Sequence, residues 1–140
     1  MALSDADANS LIIVGAGGCG MMAALVAAGK GISVLLLGKT DKPGGSTAFA
    51  SEGIRAAGSR FQRSLDIEDR QEQYARDILG RNNNENDYAL TQRLAEVSGP
   101  VADFLADVAR IDFNVGEFLF GHSALRAHFW AEDKTICDFL

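Results

Sequence analysis

The residues best equipped to do chemistry in this sequence are glycines. Gly15, Ala16, Gly17, Gly18, Cys19 and Gly20 form a G-x-G-x-x-G run. Between a strand and a helix, such a run holds a dinucleotide pyrophosphate. Its first glycine permits the tight turn, its second lets backbone approach the phosphates, and its third lets helix pack on strand. Free N–H groups and the positive end of the helix dipole then face the negative charge. The motif alone is weak, and the plain alternative is a turn that merely packs tightly. Cys19 lies near a helix N-terminus that can lower a thiol pKa. The simpler reading is a small residue filling a tight spot.

A second group of chemically capable side chains is His122, Arg126 and His128. Arg126 and a histidine could bind a dicarboxylate or shuttle a proton. We expect instead a surface loop whose His and Arg bond to backbone or to acidic helices. Two cysteines 118 positions apart, Cys19 and Cys137, make neither a disulfide framework nor a metal quartet, so no metal site is expected. Met21 and Met22 are expected in the core.

The elements around the glycine run supply the context it needs. Residues 10–14 form a short β-branched strand with apolar residues on both faces, as a buried parallel strand requires. A helix starts near Gly18 and runs to Ala28, with Gly29 and Gly31 closing it. A second buried strand extends from Ile32 to Leu37. Strand, helix and strand make a right-handed βαβ unit. Residues 40–47 are a loop by composition. Beyond residue 58 the pattern turns to polar helices. Asp66 is the expected cap of one, with Ile67, Tyr74 and Ile78 on its inner face. Asp87 caps the next, with Leu90, Leu94 and Val97 on one stripe. Ser98, Gly99 and Pro100 break it and start another, and the acidic helices are expected to present a solvated face.

At the end of the second strand an acidic residue ordinarily accepts the ribose hydroxyls, yet Gly38 occupies that place. Two readings stay open. Other contacts hold the nucleotide, Asp41 being a distant substitute, or Lys39, Thr40 and Lys42 receive a 2′-phosphate.

The chain has 140 residues, 47% hydrophobic and 23% charged, which excludes wholesale disorder and coiled coil. Thirteen basic against 19 acidic side chains give −6, which argues against nucleic acid as a partner. Residues 8–29 carry no charge, but five glycines within them exclude a membrane helix. An acidic N-terminus without a basic residue is no secretory signal. The expected location is cytoplasmic. Eleven of the 15 glycines fall between Gly15 and Gly58, and the second cluster, residues 43–58, does not suit a nicotinamide-type domain. Small residues and hydroxyls in an irregular loop suit a chain passing a second ring system.

On these motifs the sequence resembles the flavoprotein subunits of fumarate reductase and succinate dehydrogenase and related FAD-dependent oxidoreductases. The matching pieces are Ile13 to Gly20, Val34 to Thr40, Gly44-Gly-Ser-Thr47, Gly53 to Gln62 and Ser98 to Leu105, in the family's order. The resemblance implies an α/β fold, with a Rossmann-like FAD-binding βαβ unit followed by helices, as part of an incomplete domain. It implies FAD as cofactor, with Gly15, Ala16, Gly17, Gly18, Cys19 and Gly20 on the pyrophosphate. Lys39 would lie beside the adenosine ribose. Gly45, Ser46 and Thr47 would run along the flavin side, with Ser51 and Gly53 near the isoalloxazine. Gly38 departs from the family's usual glutamate, and Glu52 stands where glycine is common. The implied activity is hydride transfer through flavin N5 to or from a small acid-bearing or enone-type substrate. An NADP-binding reductase domain and a non-catalytic remnant are the alternatives. Catalytic residues of the family lie in later sequence.

Residues 1–9 are expected to be a tail, 10–128 the N-terminal part of the FAD-binding domain, and 129–140 a segment foreign to the family. The chain is therefore expected to be truncated. Phe129, Trp130, Ile136, Phe139 and Leu140 would then lack a partner surface, and the open sheet would expose an edge.

Overall fold

The computed structural model describes residues 11–49, 53–116, 120–130 and 136–138. The chain forms two compact units, one of residues 1–51 with 133–140 and one of residues 52–132.

In the first unit, β1 (Leu11–Val14) and β2 (Val34–Leu37) pair in parallel, Leu11 opposite Val34 and Val14 opposite Leu37. The helix α1 (Gly18–Gly29) joins them and packs on both. This is the expected βαβ unit. The second strand begins two residues later than Ile32, because Gly31 turns at φ 75° and the Ile32 N–H closes back on the Ala27 carbonyl. Met21 and Ala27 are buried under the helix, in keeping with a core role for Met21.

The strands are not buried on both faces. Ile13, Val34 and Leu36 are half-buried, whereas Ile12 is 53% and Val14 84% exposed. Side chains alternate across a strand, and among the described residues of this unit one α-helix covers one face. The residues pointing away from it stay in water. Residues 45–49, partly expected as loop, wind into a short 3-10 turn (Gly45–Phe49). A second one (Ile136–Asp138) packs beside it and buries Ile136.

In the second unit, β3 (Ile54–Arg55), β4 (Asn114–Gly116) and β5 (Ala127–Phe129) make an antiparallel sheet with β5 in the middle. Three helices accompany it: α2 (Arg60–Ser64), α3 (Gln71–Arg81) and α4 (Tyr88–Val108). Ala57, Tyr74, Ala75 and Ala95 form a core cluster with Ile78 against it. Small residues here let α3 and α4 approach closely.

Several expectations are corrected. Asp66 does not cap α3; it sits at φ 54° in the preceding turn, and Arg70 holds the N-cap without a side-chain bond. Leu90 and Leu94 do not face the core. They are 69% and 48% exposed, while Thr91, Ala95, Gly99 and Ala102 form the buried stripe. Pro100 does not break the helix: α4 runs through it. Proline removes the N–H that would meet the Glu96 carbonyl. Pro100 and Glu96 both lie on the exposed side, where water can take that carbonyl, while Gly99 anchors the buried side. Trp130 and Ile136 do have partner surfaces. Both are 6% exposed, and the Trp130 ring meets Phe113 edge-on at 6.3 Å.

Candidate functional site

Three positions explain the glycines of the turn. Gly15 adopts φ 111°, a region that favours glycine. A Cβ on Gly20 would fall 1.8 Å from the Gly15 carbonyl oxygen, so only glycine lets α1 start this close to β1. Gly17 is the N-cap of α1, with no side-chain cap bond, and the first turn carries no acidic residue. The positive end of the helix is therefore not neutralised locally.

The two glycine clusters, separate in sequence, come together here. The Gly44 N–H donates to the Ala16 carbonyl at 2.7 Å, and Gly17 and Gly44 form an isolated parallel bridge. The Gly18 N–H donates to Thr47 Oγ1 at 3.1 Å. One of the amides expected to be free is thus capped by a hydroxyl 29 residues away. That hydroxyl keeps its own proton to donate onward. Gly45 and Ser46 are exposed and Thr47 half-buried. Cys19 does not fill a tight spot; its thiol is free and exposed in the first turn of α1. Lys39 is exposed just beyond β2. Gly53, at φ 96°, lies in the second unit, where a Cβ would fall 2.1 Å from the His128 carbonyl oxygen. Its need for glycine is met by strand packing. Ser51 and Glu52 lie outside the described residues.

Arg126 and His128 do not lie in a surface loop, although their expected partners, acidic side chains and backbone, are right. His122 stays in the loop, half-buried against the Tyr74 ring at 5.9 Å, and its buried Nδ1 makes no hydrogen bond. The Arg126 side chain is fully buried and forks onto Asp69, Nε to Oδ2 and Nη2 to Oδ1, both at 2.7 Å. Its Nη1 reaches Asp77, and its guanidinium lies 4.7 Å over the Tyr74 ring. Burial pushes the Asp77 carboxyl up, but hydrogen bonds from Arg126 and Ser123 outweigh it and hold the group at about 2. Burial likewise works against the charge on Arg126, and the two carboxylates more than reverse that. Asp69 and Asp77 are thus ion-pair partners in the interior, whereas Asp66, Glu68, Glu72, Glu85, Asp87 and Glu96 are exposed, the solvated face expected of the acidic helices.

His128 is also fully buried, with Phe61 and Phe113 edge-on at 6.1 and 5.9 Å. Burial lowers its pKa below 6.5, more than the Arg126 carbonyl bond raises it. The ring is therefore neutral. Nδ1 donates to that carbonyl at 2.8 Å, which leaves Nε2 to accept from the Ser59 hydroxyl at 2.6 Å. A hydroxyl on an oriented imidazole is the arrangement of an activated nucleophile. Ser59 and His128 are each 0% exposed, so no substrate reaches them. The pair ties β5 to the start of α2. A proton-shuttling role for His128 is overturned by this burial.

Sequence reasoning missed Ser59, Gln62 and Asp69 as members of this network. Ser59 accepts from the Gln62 N–H, and Gln62 bonds back to the Ser59 N–H, a capping box whose S-x-x-Q signature was there to be found. Gln62 also donates to Asp69 and to the Leu125 carbonyl. Among the described residues no group of three metal-binding side chains occurs, and no helix is long and apolar enough to cross a membrane.

The FAD binding domain family matches residues 10–129. The chain is 38% identical over 97 residues to an NADH:fumarate oxidoreductase of Klebsiella pneumoniae, covering 69% of this chain and 10% of that protein. It is 32% identical over 122 residues to a fumarate reductase (cytochrome) of Shewanella frigidimarina, covering 87% of this chain and 21% of the other. An open-conformation flavocytochrome c3 fumarate reductase superposes with TM-score 0.76 at 27% identity, over 94% of this chain and 24% of that one. The chain thus spans roughly a tenth to a fifth of the relatives' length. The matched span takes in the βαβ unit, the glycine turn and the helices of the second unit, and this chain belongs to the FAD-binding domain family of fumarate-reductase-like flavoenzymes.

Proposed function

We propose that this chain forms the nucleotide-binding front of a flavin-dependent oxidoreductase. Its whole-protein reaction moves a hydride to or from a small acid-bearing or enone-type substrate. The observation that carries the reading is the joining of the two glycine segments at the start of α1. There an acid-free helix end, whose N-cap residue Gly17 supplies no side chain, meets a hydroxyl-bearing strip held by the 2.7 Å bond from Gly44 to Ala16.

The residues suit a pyrophosphate. Space above Gly15 is open, and a Cβ on Gly17 would meet nothing closer than the Gly44 carbonyl at 3.8 Å, so backbone can approach a ligand. Gly15, Ala16, Gly17, Gly18, Cys19 and Gly20 hold the phosphates through amides and the helix dipole. Thr47 caps Gly18 and turns its remaining proton toward the ligand. Lys39 lies beside the adenosine ribose. Gly45, Ser46 and Thr47 line the path toward the flavin; for Ser51 and Gly53 a role near its ring rests on the family resemblance alone. FAD, when bound, supplies the hydride chemistry at N5. The residues of this chain bind and orient it, and none is assigned to catalysis. A cytosolic location accords with the free thiols of Cys19 and Cys137.

An absorption spectrum tests the reading. After expression with excess FAD and desalting, the chain is expected to retain a flavin band. Thr47→Val, which removes the hydroxyl at Gly18, is expected to lower retention several-fold. A folded chain that carries no flavin would overturn the proposal.

A further inference from the structure

The short turn Ile136–Asp138 lies beyond the residues that the family matches, yet it belongs to the unit that carries the glycine turn. It packs on the strip Gly45–Phe49, as α1 also does. Ile136 is 6% exposed and Cys137 is half-buried. One contact reaches the junction of the two glycine segments. A Cβ on Gly44 would fall 3.3 Å from the Cys137 Sγ and 2.7 Å from the Ala48 Cβ, and Gly44 is itself buried. The thiol therefore covers the residue whose N–H donates to the Ala16 carbonyl and whose backbone bridges Gly17. A free cysteine in such a place packs as a small apolar side chain.

The strip needs support from outside itself. It is a five-residue 3-10 helix. Runs of that kind beyond about three or four residues are uncommon, because their hydrogen bonds are poorly aligned. Its entrance is two glycines at positive φ, Gly44 at 137° and Gly45 at 54°, which have the most backbone freedom to lose on ordering. Gly45 and Ser46 are exposed and Phe49 is 87% exposed, so the strip buries little apolar surface of its own. The position of Thr47 Oγ1, 3.1 Å from the Gly18 amide, accordingly depends on what packs against the strip. On the page of contacts that is α1 from the glycine turn and Ile136 with Cys137 from the far end of the chain.

We infer that Ile136 and Cys137 are positioning residues of the cofactor site. By holding Gly44 and the strip against the glycine turn, they keep Thr47 on the Gly18 amide and raise the affinity for FAD. The inference rests on the reading of that turn as a pyrophosphate site. Such coupling is reciprocal: if docking of residues 136–138 favours FAD, bound FAD favours their docking by the same factor.

Three full-length variants test this, with FAD affinity read by flavin fluorescence and backbone order by amide exchange. Ile136→Asp charges the buried contact, and Cys137→Phe forces bulk against Gly44. Each is expected to weaken FAD by at least about fivefold, the lower end of typical coupling. Each should also speed exchange at residues 44–49 and leave residues 127–129, in the other unit, unchanged. Cys137→Ser keeps the size and should stay close to the parent chain. In the parent chain, FAD should slow N-ethylmaleimide alkylation of Cys137, measured by peptide mass spectrometry. An FAD-binding chain whose affinity is indifferent to Ile136→Asp and Cys137→Phe overturns the inference alone, whether or not exchange at 44–49 changes. A folded parent chain that binds no FAD overturns the reading of the turn, and this inference with it.

Discussion

Gly17 caps α1 in an extended conformation, φ −87° and ψ −176°, which aspartate adopts readily at an N-cap. A Cβ there meets only the Gly44 carbonyl oxygen, at 3.8 Å. Gly17→Asp is therefore expected to keep thermal stability or raise it by a few tenths of a kcal/mol. Its carboxylate would occupy the anion position, so retained flavin should fall at least tenfold. A variant that keeps both stability and flavin would remove the pyrophosphate from this helix end. Arg126 sets the opposite kind of test. Its loss leaves Asp69, 1% exposed, and Asp77, 11% exposed, without their cation. Arg126→Met should cost about 3–5 kcal/mol, read as a lower urea midpoint.

The same residues predict two windows of acid sensitivity. His128 is neutral in the fold, its pKa lowered below 6.5 by burial, so the unfolded chain takes up the proton first. Stability therefore falls as pH drops below 6.5. His122, lowered mainly by burial as well, contributes to the same window. Asp77 is held at about 2 against an ordinary 3.8, so its contribution is complete above 3.8 and disappears as pH falls toward 2. His128→Gln should flatten the upper window in part and leave the lower one in place. Unfolding midpoints across pH 7 to 2 check this.

Among the elements, α4 carries neighbouring residues with opposite expectations. Pro100→Ala restores an N–H opposite the Glu96 carbonyl and relieves the ring clash, and should stabilise by about 1–3 kcal/mol. Gly99→Ala places a Cβ 2.4 Å from the Ala57 carbonyl oxygen and 2.9 Å from the Gly58 carbonyl carbon, both backbone. It should destabilise by about 1–3 kcal/mol through overpacking. Thermal melts of the two variants decide both. The starts of these helices were partly legible: Asp87 caps α4 through the Leu90 N–H as its type and place suggest. The continuity of α4 through Pro100 was not legible, because it depends on which face of the helix turns to water. The stripe of Leu90 and Leu94 misled for a related reason. Close helix approach selected the small residues Ala95, Gly99 and Ala102 for the inside.

At the scale of the whole molecule, the two units differ in how well their strands are covered. Strand β5 holds Ala127 and His128 at 0% exposure, whereas β1 and β2 leave Ile12, Val14 and Leu37 at 53%, 84% and 45%. Amide exchange should accordingly be at least tenfold faster at residues 11–14 and 34–37 than at residues 127–129. Added FAD should slow exchange at residues 15–20 and 44–47. Equal protection of β1 and β5 in the absence of FAD would contradict the difference in cover. The exposed apolar face of β1 and β2 is also an association hazard of the kind that unprotected sheets carry.

The strand, glycine turn, helix and second strand of residues 11–37 were determined by the sequence itself. Steric demands of adjacent residues suffice there: β-branched runs extend, and only glycine tolerates φ 111° at position 15 and contact with backbone at position 20. Tertiary structure alone decided what lies beside that turn. The Gly18 amide found its partner 29 residues away, and Arg126 found Asp69 57 residues away. Such pairings depend on how distant segments pack, and spacing along the chain carries no record of that.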